Sequence, residues 1–113
     1  MRRKISYDIL EPVLNQKQHA HRLLQALDLE PQDQAFVSAL VYTVLENKLF
    51  LEYQLQHYIK KTPNPKLKVL LLMGACELLL METKAYAVVN EYVDLAKKLN
   101  FNHQTGFVNS VLK

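Results

Sequence analysis

Arg2, Arg3 and Lys4 stand in a row at the start of the chain, and Lys60, Lys61, Lys66 and Lys68 form a second basic cluster with no acid within it. Cationic side chains grouped in this way neutralise an anionic partner through Coulomb attraction and charge-assisted hydrogen bonds. The sequence holds fourteen basic and eleven acidic residues, a formal charge of +3. Arg2, Arg3 and Lys4 account for that whole excess, so a basic tip sits on a body that is neutral without it. A solvated end that serves solubility alone is the competing reading of three such charges.

Other kinds of chemistry lack their residues. His19 and His21 are two positions apart and point in different directions on a helix; with His57 and His103 they have no HExxH motif, paired cysteines or carboxylate cluster beside them. All four read as surface histidines. The lone Cys76 lies in the most apolar segment, where it reads as a small buried hydrophobe rather than a nucleophile. One cysteine makes no internal disulfide and no thiolate zinc site, which fits the reducing cytoplasm. Gly74 and Gly106 are isolated, so no glycine loop can cradle a phosphate or nucleotide. The residues therefore point to no catalytic, metal or cofactor site in this chain. The longest apolar stretch, Leu67 to Met81, is broken by Lys68 and Glu77 and falls short of the ~20 residues that span a bilayer. Asp8 and Glu11 follow the basic start at once, which excludes a signal-peptide pattern there.

The elements that must position the basic clusters are helical. At 113 residues the chain has the size of one domain, 1–113, and its two glycines and four prolines are too few for a barrel or sandwich of many short strands. The expected fold is all-α, a bundle of about seven helices in halves of about 1–61 and 65–113. Ile5, Ile9, Leu10, Val13 and Leu14 make a stripe at helical spacing, which Pro12 should kink or end early. A short helix covers about Gln18 to Leu27. Pro31 opens a third, with Glu30 a mediocre cap; from Ala35 to Leu45 it carries no charge, the pattern of a helix buried on nearly every side. Leu49 to Ile59 alternates like a strand yet also fits a helix, and helix is preferred because no second run can pair with it. Thr62-Pro63-Asn64-Pro65 divides the chain, with Asn64 as N-cap and Pro65 as first helical residue. The fifth helix runs to about Met81, and Gly74 at its middle predicts a close approach by another helix. The sixth, about Ala85 to Leu99, turns Val88, Val89, Tyr92, Val93, Ala96 and Leu99 inward and Glu91, Asp94, Lys97 and Lys98 outward. A last helix carries Phe107, Val108, Val111 and Leu112.

Four segments in this order resemble a known family. Asp33-Gln34-Ala35-Phe36-Val37 with Leu40-Val41-Tyr42 and Val44-Leu45 is similar to a "DRAFVTELVYGTLR" helix of NusB-like domains. Met73-Gly74-Ala75 with Glu77-Leu78-Leu79 resembles the "LGAYELL" of that fold's central helix, and Val89-Asn90-Glu91 with Leu95-Ala96-Lys97-Lys98-Leu99 its "VNEAVELAKKL". Gly106-Phe107-Val108-Asn109-Ser110-Val111-Leu112-Lys113 is similar to the closing "GFVNAVLR". The likeness runs from about Ile5 to Lys113. It departs from the family where Thr83-Lys84-Ala85-Tyr86 replaces the usual proline-led entry to the sixth helix, and at Pro12.

The resemblance implies an RNA-binding domain. Two branches share the fold: NusB-type antitermination factors, which bind boxA RNA with ribosomal protein S10, and the N-terminal domain of 16S rRNA cytosine-5-methyltransferases of the RsmB (Sun/Fmu) type. Gly106-Phe107-Val108-Asn109 and the "DxAFVxxLVY" pattern favour the second. That branch implies a catalytic domain beyond Lys113 that uses S-adenosylmethionine, for which no position here has a matching motif. On this reading Arg2, Arg3 and Lys4 contact phosphates and Tyr7, one turn on, stacks on an unpaired base. Lys60, Lys61, Lys66 and Lys68 extend the track if the fold brings their loop to the N-terminus. A domain that only docks on a protein is the third reading.

Overall fold

The helical periodicity becomes seven helices among the residues that the computed structural model describes, 2–59, 63–101 and 105–112. They are α1 (Arg2–Gln16), α2 (Ala20–Gln25), α3 (Pro31–Glu46), α4 (Lys48–Gln56), α5 (Pro65–Leu79), α6 (Ala85–Lys98) and α7 (Thr105–Leu112). No strand occurs among the described residues.

α5 organises the rest. Asn64 accepts a hydrogen bond from the Lys66 amide at 2.8 Å and Pro65 supplies the first turn, as the sequence predicts. From Val69 to Glu77 every residue is buried, and α1, α3, α4, α6 and α7 all pack around this one helix. At Gly74 a side chain of α7 lies against α5: a Cβ built there would lie 2.7 Å from Cδ1 of Leu112. The close approach expected at this glycine is therefore made by the last helix.

Two expectations are corrected. Pro12 neither ends α1 nor shortens it; the helix continues to Gln16. Proline removes only the bond to the Asp8 carbonyl, and burial of Tyr7, Ile9 and Leu10 against the bundle outweighs that local cost. The chain leaves α1 through Lys17, at φ +58°, and the Gln18 amide donates to the Pro12 carbonyl. The uncharged stretch of α3 is buried along one stripe only, Val37, Leu40, Val41 and Val44, while Ala35, Ala39 and Tyr42 face solvent. Absence of charge there does not signal all-round burial, because alanine and tyrosine tolerate water at little cost. α3 still packs on α5.

Smaller differences lie at helix ends. α2 is shorter than the sequence suggests, with no side-chain cap at His19. α4 is the helix the sequence prefers for this stretch, and it buries Leu51 and Leu55. α6 buries Leu95 in addition to Val88, Tyr92 and Ala96. It closes in a Schellman turn: Asn100 has φ +68°, its amide donates to the Lys97 carbonyl, and the Phe101 amide donates to that of Ala96.

Candidate nucleic-acid interface

Three cations in the first turn of a helix oppose the positive end of its dipole. α1 begins with Arg2, Arg3 and Lys4 and has no acid in that turn, so the compensation comes from elsewhere. Each of the three finds a different carboxylate.

Arg3 points inward. Its Nε donates to Oε2 of Glu77 at 2.7 Å and an Nη donates to Oε1 at 2.8 Å, a bidentate pair. Glu77 is fully buried, and the Arg3 side chain is only 16% exposed. Two hydroxyls complete the carboxylate: Tyr92 Oη donates to Oε2 at 2.5 Å and Thr83 Oγ1 to Oε1 at 3.1 Å. Burial alone would lower the Arg3 pKa, but the bonded Glu77 carboxylate overrides it and holds the guanidinium above its ordinary value. Burial, then the Glu77 charge, pushes the Tyr92 phenol well above the ordinary tyrosine range, so this hydroxyl stays a donor.

Arg2 and Lys4 stay near the surface. Arg2 stacks its guanidinium over Phe36, 4.3 Å from the ring centroid, with Nε 3.6 Å from Asp33. Lys4 donates to both oxygens of Asp8 at 2.8 Å, one turn along α1. Their side chains are 42% and 33% exposed. Beside them, an open groove of about 270 Å³ runs between α1 and α6, lined by Arg2, Arg3, Lys4, Glu91, Asp94, Leu95 and Lys98. Four cations and two acids line it, and Arg2, Arg3 and Lys4 are each paired with a further carboxylate, so what the groove offers a polyanion is the partly exposed Arg2 and Lys4.

The other sequence candidates fall elsewhere. Tyr7 is a correction: it is 5% exposed, and its hydroxyl donates to the Lys66 carbonyl at 2.8 Å. Its ring belongs to the core and has no open face for a base. Arg3 is the second, because its Nε and one Nη are committed to the buried Glu77 carboxylate and its side chain is only 16% exposed.

Lys66 and Lys68 are the third. α1 and α5 run antiparallel, Arg3 meeting Glu77 at one end and Asn15 donating to the Pro65 carbonyl at the other. The twelve residues between Arg3 and Asn15 span about 18 Å of helix. Lys66 therefore lies at the far end of α1 from the tip, exposed, and Lys68 pairs there with Glu52. Lys60 and Lys61 lie outside the described residues, as does His103. His19, His21 and His57 are exposed, and among the described residues no group of histidine, cysteine and carboxylate side chains could hold a metal ion. Cys76 is fully buried, and burial followed by the neighbouring Glu77 charge pushes its thiol up to about 12. Among the described residues no helix is long and apolar enough to cross a membrane.

Sequence reasoning missed the Glu77 hub. Its signal was a lone acid in an otherwise apolar helix, which demands a buried partner.

The NusB family model matches residues 1–113, the whole chain. This chain belongs to the NusB family. A transcription antitermination protein NusB from Rickettsia typhi is 38% identical over 79 residues, covering 65% of this chain and 51% of that protein. The same protein from Rickettsia felis is 37% identical over the same span. Ribosomal RNA small subunit methyltransferase B from Xanthomonas campestris is 29% identical over 87 residues, 74% of this chain and 20% of the relative. The chain thus spans about half the length of the NusB proteins it matches and a fifth of the methyltransferase. The all-α bundle expected from the sequence agrees with membership of the NusB family.

Proposed function

We propose that this chain is a non-catalytic RNA-binding domain that docks a 16S rRNA cytosine-5-methyltransferase on its RNA. The observation that carries the reading is the groove between α1 and α6, where Arg2 and Lys4 remain exposed on a rim that Arg3 anchors from within. Arg2 and Lys4 contact phosphates there, and the groove gives a strand a place to lie. Methylation and S-adenosylmethionine belong to a separate catalytic domain. The methyltransferase relative, aligned over 74% of this chain, and the Gly106-Phe107-Val108-Asn109 segment support this form of the reading.

A second reading, a NusB-type antitermination factor acting on boxA RNA with ribosomal protein S10, is supported by the higher identity of the antitermination relatives. Both readings share the RNA groove and differ in the RNA and the helper. Titrating the chain against a boxA oligonucleotide and 16S rRNA fragments, with and without S10, separates them. Preference for a 16S fragment with no gain from S10 supports docking; S10-enhanced boxA binding supports antitermination. No binding to any of these RNAs contradicts both.

A further inference from the structure

Arg2, Arg3 and Lys4 at the start of α1 each pair with a carboxylate. At the other end of that helix the cations stand without one: among the described residues Lys17, Arg22 and Lys66 form no ion pair. The sequence accounts for this locally. From Pro12 to Leu27 it has no acidic residue, and Lys17, His19, His21 and Arg22 fall within six positions. All four are exposed.

The backbone gathers these four into one corner. Lys17 has φ +58° and the Gln18 amide donates to the Pro12 carbonyl at 3.2 Å, so the chain folds back over the end of α1. His19 is extended, at φ −98° and ψ 120°, and its carbonyl accepts from the Leu23 amide at 3.3 Å, which opens the short α2. Two hydrogen-bonded turns thus enclose Lys17 to Arg22, and the buried Leu24 fastens them to the bundle. Asn15, two positions before Lys17, donates to the Pro65 carbonyl, which brings the exposed Lys66 to the same end of the molecule.

We infer that the corner between α1 and α2 is a second contact surface for single-stranded RNA, in which Lys17 and Arg22 take phosphates and the His19 and His21 rings stack on bases. Cations interleaved with exposed aromatic rings hold an unpaired strand with little sequence preference, and imidazole is one of the rings that serve. Composition decides between RNA and a protein partner. No large apolar side chain is exposed from Pro12 to Leu27, so a protein face would find no apolar anchor, whereas a phosphate backbone supplies the charge that Lys17 and Arg22 lack. The inference rests on the RNA-binding reading above and adds a site at the end of α1 away from the groove. The fifteen residues from Arg2 to Lys17 separate the two by about 22 Å of helix.

The test is fluorescence anisotropy of a labelled, mixed-sequence single-stranded RNA oligonucleotide with the full chain, comparing wild type, K17A/R22A, H19A/H21A and H19F/H21F across a range of salt. All four residues are exposed, so the variants keep the fold, which circular dichroism checks. In K17A/R22A the slope of log K against log salt should become shallower by about 1.4, at about 0.7 per lost phosphate contact. Losing both rings in H19A/H21A should weaken binding at least ~5-fold, while the phenylalanine pair, which keeps the stacking faces, stays within about twofold of wild type. If wild type binds RNA and either K17A/R22A or H19A/H21A binds with the same affinity and slope, this corner is overturned while the N-terminal groove stands. Equal loss in H19A/H21A and H19F/H21F also overturns it, because stacking is then not what the rings do. No RNA binding by wild type removes the functional reading itself, and this site with it.

Discussion

Arg3 and Glu77, seventy-four positions apart, form a bidentate ion pair in which the carboxylate is fully buried and the guanidinium nearly so. The pair fastens the start of α1 to the end of α5, and through Tyr92 and Thr83 it also holds α6 and the segment leading into it. A cation at the N-terminus that looks available for a ligand is instead a structural bolt, and its neighbours Arg2 and Lys4 are positioned by it.

Glu77→Gln should lower unfolding stability by about 3–5 kcal/mol, because it leaves the Arg3 charge buried without its partner. Tyr92→Phe should cost less, about 1–2 kcal/mol, since it removes one donor from a carboxylate that keeps three. Urea unfolding followed by circular dichroism measures both, and equal losses would mean that the hydroxyl rather than the ion pair holds the hub.

Gly74→Ala sets two effects against each other. Alanine favours the helix by about 1 kcal/mol, but its Cβ would meet the buried Leu112 side chain at 2.7 Å. Overpacking of this kind typically costs 1–3 kcal/mol, so a net loss of about 1 kcal/mol is expected. In a double-mutant cycle with Leu112→Ala the two changes should couple strongly, because the smaller side chain relieves the clash. Additive losses would place the contact elsewhere.

Alkaline pH should expose Tyr7. Burial first, then the charges of Glu11 and Asp8, pushes its phenol up to about 12 from an ordinary value of 10. The folded state thus keeps a proton that the unfolded chain loses. The resulting stability is complete below pH 10 and declines as the pH rises toward 12, by on the order of 2–3 kcal/mol. Tyr7→Phe should flatten the decline measured by urea unfolding across that window; an identical slope in both proteins would contradict the assignment.

Cys76 should resist a thiol reagent at neutral pH and react only as the protein unfolds, because it is buried and its thiol is pushed up to about 12. Fast labelling of the native protein would mean that α5 opens locally.

Much of the framework was legible because it is local. The apolar run from Leu67 to Met81 marks α5, Asn64-Pro65 marks its start, and Gly74 marks a close approach by another helix, though not which one; each depends on neighbours in sequence and on short-range geometry. The site was read less well because its side chains are decided by tertiary partners. Nothing near Arg3 shows that Glu77 awaits it. Tyr7 shares a helical face with Arg3 and Leu10, and its polar tip made it look like a surface ring until the Lys66 carbonyl accounted for the hydroxyl. Lys66 and Lys68 are separated from the N-terminal tip by the antiparallel run of α1 against α5, a relation that only the fold supplies.

The most direct test of the groove is the salt dependence of single-stranded RNA affinity in wild type and R2A/K4A. Two lost phosphate contacts should make the slope of log K against log salt shallower by about 1.4, at about 0.7 per contact. The variant should unfold at the same urea concentration to within about 0.5 kcal/mol, since both residues are partly exposed. An unchanged slope in a folded R2A/K4A protein would contradict the assignment of the N-terminal groove to RNA.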